Sequence, residues 1–98
     1  MPRPTIWPVP NKRPFVINVG AVSTQVVPAL ESRLTLVGVN TGTEVCYVSE
    51  GVAAVFGQGD ALYPQGSMHM DELNLYLGEI NAICATGAAI LSCTEGTR

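Results

Sequence analysis

Charged side chains are scarce in this 98-residue chain, because Asp, Glu, Lys and Arg make up only 13% of it. An average soluble domain has roughly 25% charged residues. A surface with so little charge does little to keep neighbouring molecules apart. We therefore expect much of this protein's surface to lie in contact with other proteins. The apolar content of 47% is also too high for an intrinsically disordered chain.

Cysteines are few, and none of the three, Cys46, Cys84 and Cys93, forms a CxxC pair. Because His69 is the single histidine, a zinc site would have few ligands to draw on. We therefore expect three reduced, half-buried cysteines on strands. The alternative is a Cys–His nucleophile, formed by Cys84 or Cys46 with His69, which would make the protein an enzyme.

Other catalytic and cofactor signatures are missing from the chain. Asp71 and Glu72 are adjacent, and neighbours on a strand face opposite sides, so we do not expect them to form an acid–base pair. The glycines at 51, 57 and 59 are not followed by the strand, glycine-rich turn and helix of a nucleotide site. The chain is predicted to have no enzymatic activity, no cofactor, no metal and no small-molecule substrate.

Long apolar runs are also absent. No stretch approaches the 18 or so apolar residues of a membrane helix. Prolines at positions 2, 4, 8 and 10 interrupt the segment where a secretory signal would need its apolar centre. We therefore expect a protein that is made in the cytoplasm and has no membrane partner.

Proline is concentrated at the front of the chain, where residues 1–14 (MPRPTIWPVPNKRP) hold five of the seven prolines. Proline fixes φ, removes a backbone donor and pushes the preceding residue to extended conformations. The segment is predicted to be an extended, polyproline-like arm ahead of a domain spanning residues 15–98. Trp7 and Ile6 either fold back onto that domain or anchor a partner, and the enrichment of tryptophan at binding hot spots favours the partner.

Charge is divided unevenly between these two parts. Arg3, Lys12 and Arg13 give residues 1–13 a charge of +3, whereas residues 14–98 hold two bases and eight acids and carry −6. A basic arm of this kind can bind an acidic neighbour, including the body of a second copy of the chain.

Nucleic acid is the competing partner for the arm. Phosphate would be repelled by the acidic body, whose only cations after the arm are Arg33 and Arg98, and barrels that bind single strands need aromatic platforms beside basic grooves. A protein partner is therefore favoured over nucleic acid. The residues predicted to contact that partner are Arg3, Ile6, Trp7, Lys12 and Arg13.

Short runs typical of β-strands follow the arm, separated by turns that contain glycine. The clearest run covers residues 33–39, where Leu34 and Leu36 alternate with Thr35 and Val37, as on a strand with two different faces. With the turn after it and the return run, residues 33–48 are predicted to form a hairpin. The other runs are 14–20, 22–27, 61–63, 67–70, 75–85 and 88–94.

Strands at roughly 8–12-residue spacing, without a helical stripe, are typical of sandwiches and small barrels. The predicted fold is therefore all-β, a small antiparallel β-sandwich or barrel of jelly-roll-like form, with an extended N-terminal arm.

The sequence from SRLTLVGVNTG to ILSCTEG resembles the small β domains of tailed-phage virions over about residues 15–96. In that family a strand of the type Arg-x-Leu-x-φ-x-Asn-x-Gly, where φ is an apolar residue, runs into a Val-Tyr-φ strand. A glycine-rich segment, a Pro-Gly-x-Ser turn with its strand, a strand ending in Ile-x-Ala and a terminal Ser-x-Thr-Glu follow. Gln65, inserted between Pro64 and Gly66, and the three cysteines depart from this pattern. The matching residues are Arg33, Leu34, Asn40, Gly42, Val45, Tyr47, Leu62, Pro64, Gly66, Ser67, Ile80, Ala82, Ile83, Ser92, Thr94 and Glu95.

Members of this family are capsid decoration (cement) proteins, head fibres and related virion accessories. The resemblance implies an all-β sandwich without catalysis that attaches to the major capsid protein on the capsid exterior, often as a homotrimer. A tail, baseplate or fibre component that binds a host surface glycan or another tail protein is the alternative.

Overall fold

The computed structural model of the protein describes residues 11–71 and 74–98. In these residues the backbone forms eight antiparallel β-strands and no helix, so none is long and apolar enough to cross a membrane. The strands are β1 (Asn11–Val19), β2 (Thr24–Val27), β3 (Arg33–Asn40), β4 (Cys46–Glu50), β5 (Asp60–Leu62), β6 (Ser67–Met70), β7 (Ile80–Ile83) and β8 (Ala89–Thr97).

The strands form two four-stranded sheets with the connectivity of a jelly roll. The first sheet has the order β1-β8-β3-β6, and the second has the order β2-β7-β4-β5. The first half of the chain therefore pairs antiparallel with the second half, β1 with β8, β2 with β7, β3 with β6 and β4 with β5. Two sheets of this order are the double-sheet arrangement of jelly rolls. The predicted all-β sandwich is confirmed.

Alternating burial along the strands places the core between the sheets. In β3, Leu34 and Leu36 are buried while Thr35 and Val37 are half-buried, as the alternation in the sequence predicts. The core is made of short aliphatic and sulfur-containing side chains from both sheets. Its buried members are Val19, Val26, Val27, Leu36, Cys46, Val48, Leu62, Met70, Ile80, Ala82, Cys84, Ala89, Leu91 and Cys93.

The predicted hairpin over residues 33–48 is wrong, because β3 and β4 belong to different sheets. The side chain of Asn40 bends the chain between them. Its Nδ2 donates to the carbonyl oxygens of Glu44 (2.7 Å) and Leu62 (2.8 Å), and its Oδ1 accepts from the backbone N of Gly42 (3.0 Å). A buried asparagine that satisfies three backbone groups favours this turn over a hairpin loop.

The same connection is held against the loop between β7 and β8. A Cβ at position 42 would collide with the carbonyl oxygen of Ala88, so glycine is needed for the close approach. The Glu44 carboxylate accepts hydrogen bonds from the backbone N of Thr86 (3.0 Å), from the Thr86 hydroxyl and from the backbone N of Ala88 (3.2 Å). These bonds, those to Thr86 first, lower the pKa of Glu44 from 4.5 to about 2.

Strand β1 begins at Asn11, four residues before the predicted start of the domain at residue 15. Residues 11–14 pair with Thr97 to Thr94 of β8, so this part of the proline-rich segment is strand. Proline is tolerated at position 14 because β1 is an edge strand of the first sheet and the missing N–H removes no inner ladder bond.

The run predicted over residues 75–85 contains a strand only at Ile80–Ile83. Before this strand the backbone carbonyls of Tyr76 and Gly78 accept hydrogen bonds from the Arg33 side chain. The carbonyl of Leu77 accepts from the backbone N of Leu30. Carbonyls engaged in this way are not available to a ladder, so the segment is irregular.

The turn between β5 and β6 places a glutamine in the left-handed region. Gln65 has a φ of 70° and is the third residue of a turn closed by a hydrogen bond from Gly66 N to Tyr63 O (2.7 Å). Glycine or asparagine is usual at this position of a type II turn, because other side chains are strained there.

The low pKa of Glu44 makes a specific contribution to acid stability. A carboxyl group whose pKa is lower in the folded state stabilises the fold above its unfolded pKa and loses that contribution as pH falls through its folded pKa. Glu44→Gln should therefore be less stable than the wild type at pH 6, and the difference should shrink as pH falls from about 4.5 towards 2. Urea unfolding at several pH values measures the difference, and a gap that stays constant over this range would contradict the assignment.

Replacing Gln65 by glycine should raise the free energy of unfolding by about 0.5 kcal/mol, because relief of the left-handed strain exceeds the added freedom of the unfolded chain. Gln58→Gly is the matched control, since Gln58 is an exposed loop glutamine without a positive φ. This control should lose about 0.5–1 kcal/mol. Equal losses in both variants would show that position 65 is not strained.

Candidate functional site

A buried arginine organises the end of the sandwich at which β1 begins. Arg33 is completely buried, and its Nε donates to Oε2 of Glu95 at 2.8 Å. Its Nη1 donates to the carbonyl oxygens of Tyr76 (2.6 Å) and Gly78 (3.2 Å), and its Nη2 donates to that of Pro28 (2.6 Å). One guanidinium thus joins β3 and β8 to the connections before β3 and before β7.

Arg13 reaches the same carboxylate from the surface. Its Nη2 lies 3.0 Å from Oε1 of Glu95, and its guanidinium lies 4.5 Å from the centre of the Phe15 ring. The Arg13 side chain remains 60% exposed, and Lys12 beside it is exposed as well. Both predicted contact residues therefore lie on β1 of the domain itself, with cationic groups accessible to a partner.

A groove of about 440 Å³ lies between β1 and the connection from β2 to β3. One wall is apolar and the other carries the two cations of β1. The lining residues are Asn11, Lys12, Arg13, Pro28, Ala29, Leu30, Ser32, Glu95 and Thr97. Because Asn11 both lines the groove and follows residue 10, the preceding segment joins the domain at this groove. Arg3, Ile6 and Trp7 lie outside the described residues, and their contact with a partner stays a prediction.

The outward side of the second sheet is covered by the chain's own segment 51–59. The backbone N of Ala54 donates to Oγ of Ser23 (2.8 Å), and Nδ2 of Asn81 donates to the carbonyl oxygen of Val52 (2.8 Å). The Phe56 ring packs edge-on against Tyr47 with the ring centres 5.0 Å apart. These bonds fix the segment on the sheet. We call residues 51–59 together with Val22, which precedes Ser23, the apolar cap.

Large apolar side chains of the apolar cap point into solvent. Val22, Val52, Val55 and Phe56 are 50–73% exposed. No charged residue lies between Glu50 and Asp60, so nothing in the segment offsets this exposure. Clustered apolar exposure on a small domain is typical of protein-interaction surfaces.

The apolar cap was not among the contact residues predicted above. The sequence nevertheless carries a signal for it. The run VAAVF lies between glycines, has no charge and lacks the apolar–polar alternation of a strand with one buried face. The apolar side chains of such a loop are covered either by the domain itself or by a partner protein.

His69 and the cysteines do not meet in the structure. His69 is exposed on β6, whereas Cys46, Cys84 and Cys93 are free thiols buried in the core between the sheets. Burial raises the pKa of the Cys46 and Cys93 thiols to about 11, so both are protonated at neutral pH. The prediction of half-buried cysteines is wrong, because all three are at most 2% exposed. Cys46 and Cys93 lie on strands as predicted, whereas Cys84 directly follows β7.

Metal-binding clusters are absent from the part of the chain that the structure describes. No group of three His, Cys, Asp or Glu side chains in it could hold an ion. The backbone N of Asp71 donates to Oδ1 of Asn74 (2.8 Å). Glu72 lies outside the described residues.

Arg33→Met should lower the free energy of unfolding by about 3–5 kcal/mol, because the buried Glu95 carboxylate loses its buried partner and three carbonyls lose their donor. Arg13→Met is the matched control, since it removes a cation from the same carboxylate at an exposed site, and it should cost no more than about 1 kcal/mol. Urea unfolding at neutral pH compares the two. Similar losses in both variants would show that the buried arginine does not organise this end of the fold.

No family model matches the chain, and neither does any curated protein or any solved structure. Its function is therefore inferred from the surfaces described above and from the sequence pattern.

Proposed function

We propose that this protein is a non-enzymatic structural component of a tailed-phage virion, which decorates and stabilises the capsid. It binds the major capsid protein and associates with further copies of itself, in the trimeric form that the family resemblance favours. It is made in the host cytoplasm and resides on the capsid exterior.

The observation that carries this proposal is the apolar cap. The domain buries its core but leaves Val22, Val52, Val55 and Phe56 at least half exposed. Exposure of this kind is unfavourable in water and becomes favourable when a partner covers it. The hydrogen bonds of Ala54 and Asn81 already fix the backbone of the segment, so binding does not have to order it.

Low charge supports the same proposal. The chain carries only 13 charged residues, and several of them bind groups of the domain itself. Arg33 and Glu95 are buried together, Glu44 accepts from the β7–β8 loop, and Glu79 accepts from Gln25 (2.9 Å). Little charge remains to disfavour close contact with other subunits, as dense packing on a shell requires.

The N-terminal segment supplies the second contact in this proposal. Its prolines restrict the unbound conformations, so ordering it on a shell costs less entropy than ordering a flexible chain. Lys12 and Arg13 lie exposed where that segment joins β1, and Trp7 is its proposed anchor.

Binding to empty head shells, assembled from the major capsid protein of the phage that encodes the chain, tests the proposal. Val55→Ser combined with Phe56→Ser should weaken binding about 100-fold, because two anchoring side chains of a hot spot are removed. Cosedimentation of protein and shells over a concentration series measures the affinity. Tyr63→Ser, which removes a side chain 65% exposed outside the apolar cap, is the control and should bind as the wild type does.

Deletion of residues 1–10 should also weaken shell binding, by at least about tenfold for the loss of a tryptophan anchor. The deletion stops before Asn11 because a longer one would remove residues of β1 that pair with β8. Circular dichroism and thermal unfolding check that each variant is folded. Wild-type affinity in both the cap variant and the deletion would overturn the proposed capsid role.

A further inference from the structure

The two sheets differ in what covers their outward sides. The second sheet lies under the chain's own apolar cap, held there by Asn81 and Ser23. The burial of strand residues shows that no segment among residues 11–71 and 74–98 covers the outward side of the first sheet in the same way, because Val16 in β1 is 62% exposed and Ser92 in the central strand β8 is also exposed.

Register identifies the side chains on this outward side. One row crosses all four strands, because Val16 lies opposite Ser92, Ser92 opposite Val39, and Val39 opposite Ser67. Residues on alternate positions, such as Cys93 and Met68, face the core or pack against it. The row is apolar or carries a hydroxyl at every position.

The neighbouring row is similar but ends in the imidazole of His69. Pro14 lies opposite Thr94, Thr94 opposite Val37, and Val37 opposite His69. Neither row contains a carboxylate, an ammonium or a guanidinium group. The nearest charged residue at an outward position of β1 is Lys12, one row further on. We call the outward side of these two rows the uncharged face.

An uncharged, β-branched sheet face is unusual for a surface that remains in water. Antiparallel sheets with one solvated side normally alternate apolar inward and polar outward residues. Here Val16, Val37 and Val39 take outward positions. Pro14 cannot donate from the free edge of β1, which disfavours strand addition at that edge. A partner would therefore pack against the face of the sheet and would not add a strand at its edge.

Charge indicates that the partner is a second copy of this chain. Lys12 and Arg13 lie exposed at the start of β1, on the edge strand of this sheet. Residues 14–98 carry −6, so this basic edge of one copy is complementary to the acidic body of another. Two acidic bodies also repel each other least when the surfaces in contact carry no carboxylates.

We propose that copies of this chain associate through the uncharged face of the β1-β8-β3-β6 sheet. This inference rests on the self-association in the proposed function and names its surface. It leaves the apolar cap, on the opposite side of the sandwich, free to contact a different protein.

Sedimentation velocity of the purified full-length chain, without shells, tests the inference. The wild type should be an oligomer at micromolar concentrations. Ser92→Lys should lower the association constant at least about 100-fold, because an unpaired ammonium would be buried at the centre of the interface. Val16→Lys should act in the same direction at the edge strand, where a surface substitution has little effect on folding.

Ala61→Lys is the matched control, because Ala61 is a small exposed strand residue on the outward side of the second sheet. It adds the same charge and should leave the association constant unchanged. A monomeric wild type, or folded Ser92→Lys and Val16→Lys variants that associate as the wild type does, would overturn the inference. Neither result bears on shell binding, whose failure is detected separately by the cap variant and the deletion.

Discussion

The buried ion pair between Arg33 and Glu95 is the interaction on which the rest of the structure depends. Both side chains are almost fully removed from solvent, and a buried guanidinium without partners would be strongly unfavourable. The arrangement is stable because every described contact of Arg33 is to a carboxylate or a backbone carbonyl. By taking carbonyls from two separate connections, Arg33 fixes where β3 and β7 begin. By engaging Glu95, it also fixes the carboxylate that Arg13 of the edge strand approaches from outside.

This use of charge inside the domain explains how a protein with so few charges can still have a specific fold. Glu44 closes the opposite connections in a comparable way, by accepting three hydrogen bonds from the β7–β8 loop. Charges that hold the architecture are not available to keep neighbours away. The uncharged face of the first sheet and the apolar cap consequently lie on two sides of one sandwich. A subunit needs this combination in order to contact both its own copies and a shell.

Local features of the fold could be predicted from the sequence, and the pairing of strands could not. The alternation of Leu34 and Leu36 with Thr35 and Val37 predicts a strand with one buried face, and β6 has the bounds predicted for it. The jelly-roll connectivity could not be predicted from such local patterns, because β3 and β4 are close in sequence yet lie in different sheets. This separation depends on the three hydrogen bonds of the Asn40 side chain. Pro14 favoured an arm because a proline on an edge strand cannot be distinguished from one in an arm before the sheet order is known. The exposure of Val55 and Phe56 likewise depends on which sheet covers their segment.

The most direct test that the apolar cap binds the shell is hydrogen–deuterium exchange of the full-length protein, measured free and bound to head shells. The cap backbone is anchored to the sheet but lies at the surface, so its amides can be protected further when a partner covers it. We predict slower exchange in peptides covering residues 51–59 on shell binding. Bound protein whose exchange in residues 51–59 equals that of the free protein would contradict the account.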